Sequence, residues 1–110
     1  MNKIRRKAIF KLIQRLNKLM GNISEIPIDL LISQIEEFID DIQDILDEEE
    51  SAMDSIPENL QSGERYERSE EACWNLSDAI SDLEDLDIEC TQSDIVNCLS
   101  NVINSLTNCI

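Results

Sequence analysis

The stretch from Ile28 to Met53 constrains the fold of this chain more than any other. Apolar residues recur there at steps of three and four, which places them on one face of a long helix. They are Ile28, Leu31, Ile32, Ile35, Phe38, Ile39, Ile42, Ile45, Leu46, Ala52 and Met53. The 110 residues include only two Gly and two Pro, which favours few turns and long helices. We therefore predict a helix over residues 28–53.

The opposite face of this predicted helix is acidic. It carries Glu36, Glu37, Asp40, Asp41, Asp44, Asp47, Glu48 and Glu50. No Lys or Arg lies between Lys18 and Arg65 to neutralise them. With Glu49, nine acids lie between residues 36 and 50, one per about 2.3 Å of helix axis, and duplex DNA carries one phosphate per about 1.7 Å. We interpret this face as a partner-binding surface that mimics nucleic acid. The alternative is a solvated face that is partly paired to the first helix.

The first twenty residues are basic, whereas the remainder of the chain is acidic. They hold seven Lys or Arg and no acid, whereas the other ninety residues hold two basic and twenty-four acidic residues, for a net charge of −15. A stripe of Ile4, Ala8, Ile9, Leu12, Ile13, Leu16 and Leu19 predicts a basic amphipathic helix over residues 3–20. Such a helix binds anionic lipid or nucleic acid, or docks on the acidic helix. Docking is favoured because the rest of the chain repels anionic partners, so we expect neither membrane nor nucleic-acid binding.

Two further helices are predicted, over residues 64–86 and 92–108. Pro57 and Gly63 break the chain before the third helix, where Ile56 and Leu60 are expected to plug the end of the bundle. Thr91 and Asp94 have the spacing of a capping box at the start of the fourth helix. We therefore expect one domain, residues 1–110, with an all-α fold. Its centre is an antiparallel hairpin of helices two and three, flanked by helices one and four.

Two features could mark a contact with a second molecule. Trp74 projects away from the apolar side of the third helix. Packing against helix one or four is favoured, and an exposed interface anchor is the alternative. The outer face of the last helix is uncharged, and it comprises Asn97, Ser100, Asn101, Asn104 and Asn108. This face is a candidate homodimer surface, and an ordinary solvated face is the alternative.

The sequence offers little support for metal or thiol chemistry. It has no His and no CxxC pair, so a zinc site and an imidazole-activated Cys nucleophile are not expected. The four cysteines are predicted to be free: Cys73, Cys90, Cys98 and Cys109. Asp40, Asp41 and Asp44 fit the DDxxD pattern of prenyl-transferring enzymes, but the second Asp cluster is missing.

A second metal-binding pattern lies along the predicted third helix. Magnesium-dependent nucleotide pyrophosphohydrolases of the MazG type carry ExxE and ExxD motifs, which Glu67/Glu70 and Glu84/Asp87 resemble. In that family the two motifs lie on separate helices, whereas residues 71–83 here are predicted to be one continuous helix. We therefore expect no catalytic residue, no metal and no cofactor, with this hydrolase as the less favoured alternative.

Five short segments of the chain form a recognisable pattern. Residues 1–7, 47–49, 57–61, 64–66 and 71–72 read MNKIRRK, DEE, PENLQ, ERY and EA. In these segments the chain resembles a family of small acidic proteins from phages and prophages of Gram-positive bacteria. The Ser62-Gly63 pair, the break at residues 21–27 and the uncharged C-terminal helix depart from the family pattern. The resemblance implies a helical hairpin and a phage origin, and it assigns no catalytic residue.

These observations lead to one favoured function and one main alternative. The favoured function is a phage-encoded inhibitor whose acidic face binds a basic bacterial protein that handles nucleic acid or host defence. The alternative is a structural or assembly protein that forms homo-oligomers. A location in the bacterial cytoplasm is expected because the N-terminal residues lack the apolar segment of a signal peptide.

Overall fold

The computed structural model describes residues 2–110 and contains four α-helices in that range. They are α1 (Lys3–Gly21), α2 (Ile28–Asp54), α3 (Glu64–Glu84) and α4 (Gln92–Thr107). Two short 3-10 turns, Ile23–Glu25 and Glu58–Leu60, lie in the connections. The predicted all-α bundle is confirmed. Met1, part of the basic segment used in the resemblance, lies outside the described residues.

The four helices form an antiparallel bundle. Each helix packs against its neighbour in sequence, and α1 also packs against α4, so the ring of helices is closed. Arg5 pairs with Glu49 and Arg15 pairs with Asp41, which shows that α2 runs against the direction of α1. The bundle measures 51 × 22 × 18 Å. None of the helices in the described range combines the length and apolar composition that a bilayer-spanning segment needs.

The core is built from the apolar stripes of all four helices. Its largest fully buried apolar side chains are Ile9, Leu16, Leu31, Ile35, Ile42, Leu76, Leu83, Ile95, Leu99 and Leu106. Burying each such side chain contributes about 1.5–3 kcal/mol. The capping box is also confirmed, since Thr91 Oγ1 accepts from the Asp94 amide at 3.1 Å and Asp94 Oδ2 accepts from the Thr91 amide at 3.2 Å.

Three apolar residues lie outside the core, contrary to prediction. Ile4 is 75% exposed, because Arg5 stands one helical turn before the buried Ile9 and takes the inward position. Leu60 is 56% exposed and belongs to the short turn Glu58–Leu60, none of whose residues is buried. Ile56 is half-buried but is not among the side chains that pack against the core, so neither residue closes the end of the bundle as predicted.

Candidate functional site

The acidic side of α2 remains largely open to solvent. Seven of the eight predicted carboxylates are exposed, and they are called the acidic face below: Glu36, Glu37, Asp40, Asp44, Asp47, Glu48 and Glu50. The face extends for about 21 Å along the helix. Within residues 2–110, none of the seven forms an ion pair with Lys or Arg. Gln43 donates a hydrogen bond to Asp47 at 2.9 Å.

The eighth predicted carboxylate, Asp41, belongs to the contact between α1 and α2. Its Oδ2 atom lies 2.9 Å from an amino group of Arg15. The Arg15 guanidinium also lies 4.6 Å from the centre of the Phe38 ring, an arrangement typical of a cation–π contact. Pairing with α1 therefore occurs at the border of α2 and leaves the acidic face uncovered.

A ninth carboxylate, Glu49, has a different environment from its neighbours. Its side chain is completely buried, and its Oε2 atom lies 2.6 Å from Nε of Arg5, whose side chain is 14% exposed. In sequence, Glu49 is one of the nine acids between residues 36 and 50, but it also follows Ile45 and Leu46 by four and three residues. That spacing places it on the apolar stripe, and it was the available signal for burial.

The basic residues of α1 form an exposed surface on the neighbouring side of the bundle. Lys3, Lys7, Lys11 and Lys18 are all exposed. Phe10 is 53% exposed and Ile110 is 49% exposed, and both lie beside this lysine row. Positive and negative side chains are therefore segregated onto α1 and α2.

Trp74 is exposed, so the prediction that it packs against α1 or α4 is wrong. It is 61% exposed and lies beside Asn75, Asp78 and Asn108. Its role as an interface anchor stays a prediction. On the outer face of α4, Asn97, Asn101, Asn104 and Asn108 are exposed and Ser100 is half-buried.

The two metal-binding patterns do not bring their carboxylates together. Glu67 and Glu84 lie on the continuous helix α3, about 25 Å apart at 1.5 Å per residue, so one metal ion cannot bind both. Within the DDxxD match, Asp41 is held by Arg15. In the described part of the chain, no three His, Cys, Asp or Glu side chains are placed to hold a metal ion.

The four cysteines are free, as predicted, but only Cys73 and Cys109 are buried. The Cys98 thiol donates to the Asp82 carbonyl at 3.1 Å, and the Cys109 thiol donates to the Ala72 carbonyl at 3.6 Å. Burial, assisted by nearby acidic groups, raises the pKa of Cys73 and of Cys98 to about 11 and that of Cys109 to about 12. These thiols are therefore protonated, weak nucleophiles at neutral pH.

Comparison with known proteins yields no relative. No protein-family model, curated protein or solved structure matches this chain significantly.

Proposed function

We propose that this chain is an acidic interaction protein whose acidic face occupies the nucleic-acid-binding cleft of a basic bacterial protein. The observation that carries the proposal is the row of seven exposed carboxylates on α2. Its seven carboxylates lie over about 21 Å of helix axis, one per about 3 Å, which is close to the phosphate spacing of about 3.4 Å along one strand of duplex DNA. It also lacks an ion-pairing Lys or Arg within the described residues, so its charges are available to a partner.

The cost of this charge arrangement supports a use beyond solubility. Glu36 and Asp40, Asp40 and Asp44, and Asp44 and Glu48 repeat like charges at steps of four residues. Together with Glu37 and Asp41 these pairs weaken an isolated helix by about 1–2 kcal/mol. A helix that needed only solubility would mix the two signs of charge.

The bundle holds the acidic face in a form suited to rapid binding. The opposite side of α2 is anchored in the core through Leu31, Ile35 and Ile42, each at most 2% exposed. A preorganised helix avoids the entropy cost of ordering on binding. A dense negative surface also accelerates diffusion toward a basic cleft.

We further propose that the protein is phage-encoded and acts in the bacterial cytoplasm on a host-defence or nucleic-acid-binding protein. The resemblance to small acidic phage proteins supports this part of the proposal. Homo-oligomerisation as an assembly protein is the second candidate, favoured by the exposed Trp74 and the uncharged outer face of α4. Light scattering tests it: a strict monomer contradicts the assembly function.

A capture experiment with two matched variants tests the primary proposal. Tagged protein is incubated with nuclease-treated bacterial lysate at low and high salt. The first variant replaces Asp40, Asp44 and Asp47 by Lys on the acidic face. The control replaces Glu67, Asp78 and Glu84 by Lys on α3, where all three are exposed, so both variants change the net charge equally.

We expect a basic protein to be captured at low salt, released at high salt and displaced by duplex DNA. The α2 variant should lose this partner and the α3 variant should retain it. Equal loss in both variants would show that overall acidity, and not the acidic face, attracts the partner. Recovery of the protein alone would contradict the proposal.

A further inference from the structure

We propose that the end of the bundle where α1 and α3 begin and α2 ends contains a binding site for a compact phosphate dianion, such as a phosphate monoester or the terminal phosphates of a nucleotide. A recess of about 350 Å³ opens there. Its walls include Arg5, Arg6, Arg65 and Arg68, which are four of the five arginines in the chain. This site is separate from the acidic face, and the proposal does not depend on the proposed function.

The local charge of the recess is opposite to that of the whole chain. Four guanidinium groups line it, and the only carboxylates among the described lining residues are those of Glu49 and Glu64. The lining therefore carries a formal excess of two positive charges, whereas the chain carries −15. Screening limits the reach of distant charges to about 8 Å at physiological salt, so most acidic residues of the 51 Å long bundle are screened from a small anion in the recess.

Arginine is the residue type best suited to hold a phosphate group. Its planar guanidinium carries five N–H donors in a fork that matches two oxygens at once. Arg5 uses Nε to bind Glu49, and Arg68 uses one terminal amino group to bind Glu64. Most donors of these two groups remain for a ligand. A phosphate dianion carries two negative charges, equal in number to the excess positive charges of the lining, whereas a single carboxylate carries one.

Backbone donors also lie at this end, because α1 and α3 both begin there. The first-turn N–H groups of α3 have no side-chain cap and are suited to an anion, whereas the dipoles of α1 and α3 are opposed by those of α2 and α4, which end here. Gly63, the N-cap of α3, has no side chain with which to occupy those donors. Buried Glu49 fixes Arg5 in place, so one of the four guanidinium groups is already oriented before a ligand binds.

The volume and the lining also fit a small polar ligand. Small-molecule sites enclose roughly 300–1,000 Å³, and this recess lies at the lower end of that range. Ala52 and Ile56 supply one apolar wall beside the charged groups. The recess therefore suits phosphate groups better than a large apolar ligand.

Calorimetric titration of the full chain with inorganic phosphate, pyrophosphate and ATP, at constant ionic strength, tests this site. One variant carries Arg65→Gln and Arg68→Gln, both at exposed positions where the fold does not depend on them. The control carries Lys11→Gln and Lys18→Gln on the exposed side of α1, with the same change in charge. Thermal unfolding of each protein with and without the anion provides a second readout, since a bound ligand raises Tm.

We expect pyrophosphate to bind the unmodified chain and the lysine control similarly, and to bind the arginine variant about tenfold more weakly or worse. ATP binding as tight as pyrophosphate binding would identify a nucleotide phosphate as the ligand, and binding of phosphate and pyrophosphate without ATP would identify free phosphate. Equal weakening in both variants would show that the anion is attracted by positive charge in general and not by this recess, and would overturn the proposal. Absence of binding by all three anions would overturn it too.

Discussion

Arg5 donates from Nε to Oε2 of Glu49 over 2.6 Å, and this contact is the one ion pair among the described residues that has a fully buried partner. Taking a carboxylate out of water is costly unless its partners are retained. The pair joins the first turns of α1 to the last turns of α2. It therefore fixes the register of the two helices at that end of the bundle.

We predict that Arg5→Met lowers the free energy of unfolding by about 2–4 kcal/mol, because it leaves the charge of Glu49 buried without this cation. The double variant Arg5→Met/Glu49→Leu should recover most of the loss. Arg15→Met is the control, since its partner Asp41 is 44% exposed and the loss should be about 1 kcal/mol or less. Urea unfolding followed by circular dichroism measures all three, and equal losses at Arg5 and Arg15 would contradict the assigned role.

Alkaline pH should destabilise the bundle through its buried thiols. The pKa of Cys98 is raised to about 11 and that of Cys109 to about 12, from an ordinary value of 9.0. The folded state therefore binds more protons than the unfolded state above pH 9, and stability falls as pH rises through that window. The variant Cys98→Ala/Cys109→Ala should show a shallower decline of unfolding free energy between about pH 9 and 11, measured with urea. An unchanged slope would show that other groups control alkaline stability.

Thiol labelling should distinguish Cys90 from the other three cysteines. Cys90 is half-buried in the connection before α4, and its thiol lies 3.6 Å from a carboxylate oxygen of Asp87. With iodoacetamide at pH 8, mass spectrometry should find one rapidly modified residue, Cys90, in the folded protein. All four should react in urea, because unfolding removes the burial that keeps the others protonated. Rapid labelling of Cys109 in the folded state would contradict its buried position.

Removal of the capping box at α4 should have a measurable cost. Thr91→Ala deletes the side-chain acceptor for the Asp94 amide and should lower stability by about 1 kcal/mol. Ser93→Ala, at an exposed neighbouring position, serves as the control and should change stability little. Thermal unfolding compares the two variants, and a similar Tm for both would mean that the cap contributes nothing.

The acidic face should show a trade-off between stability and binding. Asp40→Asn/Asp44→Asn relieves repulsion at steps of four residues and should raise the unfolding free energy by about 0.5–1 kcal/mol. The same variant should bind a basic partner more weakly. Asp41 is left unchanged because its replacement would also remove the pair with Arg15. A variant that lost stability together with binding would indicate a structural role for these carboxylates.

The helices could be predicted from sequence because each has apolar residues at steps of three and four, and the burial of that apolar face outweighs the helix propensities of individual residues. This explains why the predicted and observed ends of each helix differ by no more than two residues. Glu49 also has the spacing of the apolar stripe, but a charged residue within a run of acids normally faces solvent. Its burial requires a cation from another helix, Arg5, which the local sequence around Glu49 does not reveal. Trp74 could not be placed, since outward periodicity alone does not reveal whether a neighbouring helix covers that position.

The arginine recess could not be predicted from the sequence for a different reason. Arg5 and Arg6 are separated from Arg65 and Arg68 by about sixty residues. In the local sequence, Arg5 and Arg6 belong to a basic helix, whereas Arg65 and Arg68 are isolated positive charges in an acidic helix. Only the closed, antiparallel arrangement of the four helices brings both pairs to one end.

The segregation of charge between α1 and α2 also gives the molecule an electric dipole moment directed across the bundle. The backbone dipoles of four antiparallel helices largely oppose one another, so this moment arises mainly from side chains. In the field of a positively charged partner, the protein experiences a torque that turns the acidic side formed by α2 and α3 forward and α1 away. Rotational alignment can therefore precede contact, and a larger fraction of diffusional encounters begins in the productive orientation.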